Sequence, residues 1–142
     1  MMKKRILLSL IPFLSSCTHV VNVSYLNTPL LIPWQQYDFQ LAKDFKVKID
    51  SNIIIVPRGF ISDFASIPRI LWPIYAPHDT ATLRASVLHD YLYICNAGYT
   101  RRQSDLIFYY ALLNSGVTKF KAYKYFLAVR LFGWRYWREN LC

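Results

Sequence analysis

Apolar and polar residues alternate most cleanly at Phe45-Lys46-Val47-Lys48-Ile49, where lysines separate three apolar side chains. A period of two places one set of side chains on each face of an extended chain, so this segment predicts a half-buried strand. Asp50-Ser51-Asn52 supplies turn residues. Ile53-Ile54-Ile55-Val56 follows, β-branched throughout and closed by Pro57, and predicts a strand paired back on the first. Tyr37-Asp38-Phe39-Gln40-Leu41 alternates too and predicts a further strand. Thr18 to Pro33 shows no period of either kind, and residues 17–35 read as a tether leading into a domain over 36–142.

Beyond Arg58-Gly59 the pattern becomes that of a loop, Asp63-Phe64-Ala65-Ser66-Ile67-Pro68-Arg69, kept extended further on by Trp72-Pro73 and Ala76-Pro77. Helical spacing follows. A first helix begins at Asp79 or Thr80, either of which can cap it, and runs to about Asn96, with Gly98 ending it. A second begins at Thr100, where Thr100-Arg101-Arg102-Gln103 fits a capping box, and runs to about Asn114 before Gly116. A third runs from near Thr118 to about Phe132, with Phe120, Tyr123, Leu127 and Leu131 on one stripe at helical spacing. Gly133 interrupts it, and Trp134 to Asn140 predicts a last amphipathic turn or two. The fold class is α+β: a small N-terminal antiparallel sheet, a loop, then about three helices in a single domain.

The first residues change the picture. Met1-Met2-Lys3-Lys4-Arg5 is a short basic start, Ile6 to Phe13 a short apolar run, and Leu14-Ser15-Ser16-Cys17 follows directly. This is the layout of a secretory signal, and the run is too short for the ~20 apolar residues of a spanning helix. Leu-Ser-Ser-Cys resembles the lipobox of bacterial lipoproteins. That resemblance implies cleavage after residue 16, acylation of Cys17 and a lipid anchor in the cell envelope. By the sorting pattern of that family, Thr18 in place of Asp implies transfer to the outer membrane in enteric-like hosts. The periplasmic side is the expected face, although Thr18 does not specify it. Export removes nucleic acid from the expected partners.

The chain carries a formal charge of +9, with 54% hydrophobic and 17% aromatic residues, a combination suited to an interface between apolar and wet surroundings. Lys119, Lys121, Lys124, Arg130, Arg135 and Arg138 crowd the C-terminal part. Such a basic, aromatic face suggests anionic lipid headgroups, or else a solvated helix face. With Cys17 acylated, Cys95 and Cys142 remain, either joined in an oxidising compartment or with Cys95 free and buried.

The most suggestive chemistry is His89-Asp90 in the first helix and Asp105 one turn into the second. A short connection packs the helices antiparallel and lets Asp105 approach His89. A carboxylate on one imidazole nitrogen fixes the tautomer and leaves the other as a base. Asp90 then remains for a hard cation such as calcium. The bland alternatives are a core histidine bonded to a carbonyl, Asp105 paired with Arg101, and Asp90 bridged to Arg84 or to loop amides. In the loop, Arg69 can clamp an anionic group, and Ser66 can contact substrate or act as a nucleophile with His89, although no Gly-x-Ser-x-Gly elbow surrounds Ser66. An Asp63–Arg69 pair that merely holds the loop is the alternative.

Two further resemblances rest on these residues. Val56-Pro57-Arg58-Gly59-Phe60, Ser62 to Arg69, Val87 to Tyr93 and Arg102 to Asp105 resemble a phage and prophage family of unknown function, domain of unknown function 1353. This implies a phage or prophage gene and supplies no mechanism. His89-Asp90-Tyr91-Leu92-Tyr93 with Arg102, Asp105, Phe108 and Ala111 is similar to the helix pair of small bacterial secreted phospholipases A2. That likeness implies His89 as the base that activates water, Asp105 as its orienter and Asp90 as a calcium ligand. Apart from the likeness, the loop from Gly59 to Asp63 can offer carbonyls or the Asp63 carboxylate to the same cation, and Tyr93 is a candidate to contact substrate. The glycine-rich calcium loop and helix-linking disulfides of that family are not visible in the chain. Two functions follow: a lipid-anchored hydrolase of phospholipid esters, or a non-catalytic lipoprotein that occupies a host envelope protein and blocks superinfection.

Overall fold

The computed structural model describes residues 20–35, 38–63, 80–138 and 140–142. Cys17, Ser66, Arg69 and Asp79 lie outside them. The elements run β1 (Val23–Tyr25), β2 (Leu31–Pro33), β3 (Phe39–Leu41), β4 (Phe45–Ile49), β5 (Asn52–Val56), β6 (Ile61–Ser62), α1 (Thr80–Cys95), α2 (Arg101–Asn114) and α3 (Lys119–Phe132). A single 3-10 turn, Gly133–Arg135, follows α3 in place of the longer amphipathic stretch expected there.

Strands precede helices, and the chain is α+β. The strands form two three-stranded antiparallel sheets, β1-β4-β5 and β2-β3-β6, rather than one. Phe45, Val47 and Ile49 are buried while Lys46 and Lys48 point out, as their alternation requires. β5 pairs with β4 through Phe45↔Val56 and Ile49↔Asn52, leaving Asp50-Ser51 as the turn. Asp50 there has φ 52°, a left-handed conformation that Asp tolerates better than most residues.

The segment expected to be a plain tether carries two strands. β1 pairs with β4 and β2 with β3. Each is three residues long, too short for a period to show. Pro33 ends β2 on a sheet edge, where a missing N–H costs no ladder bond. β1 also ties the sheet to the helices: the Tyr25 hydroxyl donates to the Ala111 carbonyl at 2.9 Å and accepts from Ser115 Oγ at 3.1 Å.

α1 packs against α2 and β6. Thr82, Ala85, Val87, Leu88, His89, Asp90, Leu92, Tyr93 and Cys95 are all buried, so apolar residues surround it instead of lining one stripe. α2 starts on the expected capping box: Thr100 accepts from the Gln103 backbone, and the Gln103 side chain accepts from the Thr100 backbone. In α3 the buried positions are Ala122, Tyr125, Ala128 and Val129. The stripe of Phe120, Tyr123, Leu127 and Leu131 faces solvent. The spacing marked an amphipathic helix correctly, but the core takes the opposite face, where small alanines let α3 approach its neighbours.

The C-terminus is fastened to the end of α1. Cys95 and Cys142 form a disulfide across 47 residues, with Cα atoms 5.0 Å apart. Leu141 N–H donates to the Ile94 carbonyl and Arg138 N–H to the Tyr93 carbonyl. Asn96, left-handed at φ 57°, accepts from the Asn140 backbone and donates to the Arg138 carbonyl. No helix among the described residues is long and apolar enough to cross a membrane.

Candidate functional site

His89 and Tyr93 lie one turn apart on α1 and so share a face; Asp105 meets that face from the first half of α2. His89 Nε2 sits 3.0 Å from Asp105 Oδ1. The Tyr93 hydroxyl donates to the same oxygen at 2.5 Å. Arg130 of α3 donates to Asp105 Oδ2 at 2.6 Å, and Arg101 stands 3.9 Å from that oxygen. Asp105 is completely buried, and His89 is 1% exposed. The imidazole lies between the rings of Tyr93, at 4.1 Å between centroids, and Phe108, at 4.5 Å.

Burial alone would raise the Asp105 carboxyl, but contacts with His89, Tyr93 and Arg130 outweigh it and hold the group below the ordinary carboxylate range. Asp105 is therefore an acceptor only. The nitrogen facing it must carry the proton, so neutral His89 is the Nε2–H tautomer and its Nδ1 keeps the lone pair. The Tyr93 hydroxyl is pushed well above its usual range by burial and by the neighbouring Asp105 charge. It stays a donor, so Tyr93 braces Asp105 and does not line an open substrate surface.

Asp90 points a different way, about 100° round the helix from His89. It is 6% exposed, and Ser62 Oγ at the end of β6 donates to its Oδ2 at 2.5 Å. The carboxylate expected to remain for a cation is thus engaged. Asp63, next along from Ser62, also interacts within the chain. Among the described residues no group of three His, Cys, Asp or Glu side chains is arranged to hold a metal ion.

Three contributors were absent from the sequence reading. Arg130, twenty-five residues beyond Asp105, is its nearer cation, while Arg101, the i,i+4 candidate, stands farther off. Ser62 partners Asp90. Gly133 packs so closely on Tyr93 that a Cβ there would sit 2.5 Å from the hydroxyl oxygen. An arginine in an otherwise apolar run, Ala128-Val129-Arg130-Leu131-Phe132, was the available signal for the first.

The family model described as "Protein of unknown function (DUF1353)" matches residues 39–129, which run from β3 through most of α3 and include the His89–Asp105 pair. The chain belongs to that family. It is also similar to the "Uncharacterized protein y4jT" of Sinorhizobium fredii (strain NBRC 101917 / NGR234), at 36% identity over 98 residues. The match covers 67% of this chain and 29% of the relative, so this chain matches under a third of that protein's length. No solved structure matches the chain.

Proposed function

We propose that this DUF1353 chain is a phage- or prophage-encoded envelope lipoprotein, anchored through Cys17 to the outer membrane, that hydrolyses phospholipid esters. The observation that carries the reading is the buried contact of His89 with Asp105, whose carboxylate is also held by Tyr93 and Arg130. A fixed carboxylate orients the imidazole and stabilises the imidazolium formed during proton transfer. His89 Nδ1 takes a proton from water as the oxygen attacks the ester carbonyl. The tetrahedral intermediate then collapses, the C–O bond to the lysolipid breaks, and His89 returns the proton to the departing alkoxide.

The test is fatty-acid release from mixed phospholipid vesicles by the wild-type chain, with calcium and with chelator, beside His89→Gln and Asp105→Asn. Release lost in both folded variants supports the reading. No release by folded wild-type protein across a panel of headgroups and chain lengths sinks it.

A second reading, the non-catalytic lipoprotein that occupies a host envelope protein, draws on a specific observation. His89 and Asp105 are both buried beneath a partly exposed Arg130, and among the described residues no buried side-chain nitrogen or oxygen lacks a partner. Such a network can serve as a brace. Superinfection blocking retained by a stably folded His89→Gln variant would favour it.

A further inference from the structure

The outward face of α3 is apolar where a surface helix is normally polar. Phe120 is 75% exposed, Leu131 64%, Tyr123 52% and Leu127 39%, and Trp134 continues the patch at 60%. Scattered apolar residues on a surface need no explanation, but a continuous helical stripe of them does. Cations rim it: Lys119 is exposed, the Lys124 ammonium lies 5.0 Å from the centre of the Phe120 ring, and the Arg135 guanidinium lies 5.2 Å from that of Trp134. From Leu106 to Arg138 the chain has no Asp or Glu.

We infer that this face docks on a bilayer of anionic phospholipid. Charge complementarity selects the occupant. A second copy of the same face would bring lysines and arginines together with no acid to answer them, whereas phosphate headgroups meet them directly. Lysine and arginine stems lie along apolar surface with their charges at headgroup level, and Tyr and Trp favour the same depth. α3 is fourteen residues long, so it lies in the interface and does not span it. The inference is independent of the hydrolase reading, because the stripe includes neither His89 nor Asp105.

The test is co-sedimentation of the full chain with vesicles of phosphatidylcholine alone and with phosphatidylglycerol added. The apolar variant is Phe120→Ser/Leu127→Ser/Leu131→Ser and the charge variant is Lys119→Gln/Lys124→Gln/Arg135→Gln. A control, Ile53→Ser/Ile55→Ser, alters exposed residues on β5. All four proteins share residues 1–19, so any contribution of that segment cancels in the ratios. Partitioning to anionic vesicles should fall at least tenfold in the apolar variant. It should fall by roughly fivefold per cation removed in the charge variant, and less at high salt. The control should stay within about twofold of wild type, a range well under one tenfold step. Equal binding by wild type and both face variants overturns the inference, as does an equal loss in the control. So does a change confined to oligomeric state in sedimentation, which would mark the face as a contact between copies. If the apolar variant fails to fold, the charge variant decides alone.

Discussion

Gly133→Ala should loosen the site from a distance. A Cβ at this position would stand 2.5 Å from the Tyr93 hydroxyl oxygen and 3.1 Å from two ring carbons. The glycine's φ is not in the left-handed range, so crowding alone is at issue. Tyr93 cannot simply retreat: its hydroxyl donates to Asp105, its ring packs edge-on to Trp137 at 5.3 Å, and its backbone carbonyl accepts from Arg138. Overpacking costs about 1–3 kcal/mol, and losing a hydrogen bond to a charged group costs about 1.5–3 kcal/mol. Together they give roughly 3 kcal/mol when the ring shifts enough to release Asp105, or about 10 °C in Tm for a domain of this size. Tyr93→Phe removes the atom nearest the new methyl group. The double variant should therefore be less destabilised than the two single variants added together, by at least about 1 kcal/mol. Urea unfolding of the four proteins measures that coupling. Additive single effects, or a Gly133→Ala protein as stable as wild type, would refute the close packing of Gly133 on Tyr93.

Arg130→Met removes the nearest cation from a fully buried carboxylate and should destabilise by about 3 kcal/mol at pH 7, measured by urea unfolding. Asp105 is depressed in the folded state, so its contribution is present above the ordinary carboxylate range and fades as pH falls through the folded value. Without Arg130 that fading should begin at higher pH, visible as an earlier acid transition. The Tyr25 hydroxyl, raised to about 12 chiefly by burial, works in the opposite sense. Its contribution is complete below the unfolded value near 10 and is lost as pH rises toward 12; Tyr25→Phe should flatten the alkaline limb of the stability curve, followed by ultraviolet absorbance and unfolding. Reducing the Cys95–Cys142 bond frees a loop of 47 residues and should cost up to about 4 kcal/mol on chain-entropy grounds, read from unfolding with and without reductant. Two titratable thiols at these positions in unreduced protein would contradict the bond.

The helices were legible because their signals are local. The capping box at Thr100 and the helix stops near Asn96, Asn114 and Phe132 match the observed ends within a residue or so. β4 was legible for the same reason, five residues being enough for its alternation to show. The short strands β1, β2 and β6 were not, because two or three residues carry no period and their existence depends on distant partners. Helical spacing located the apolar stripe of α3 but could not say which side meets the core. That choice falls to the small Ala122 and Ala128, which permit close approach. In the site, the meeting of His89 and Asp105 followed from a short antiparallel hairpin. Arg130 and Ser62 arrive from α3 and β6; the apolar run around Arg130 marks that residue as unusual, but no local pattern names the distant group that either one meets. Ser62 went unseen as the partner of Asp90 because it belongs to a two-residue strand.

Activation of water by His89 and Asp105 against an ester leaves an isotopic mark. Phosphatidylglycerol vesicles are incubated with wild type, His89→Gln and Asp105→Asn in ¹⁸O-labelled water, and the products are read by mass spectrometry. Wild type should release free fatty acid carrying ¹⁸O, and each folded variant should do so at least about a hundredfold more slowly. Absence of labelled acid with the folded wild type, or equal amounts from all three proteins, would contradict that activation.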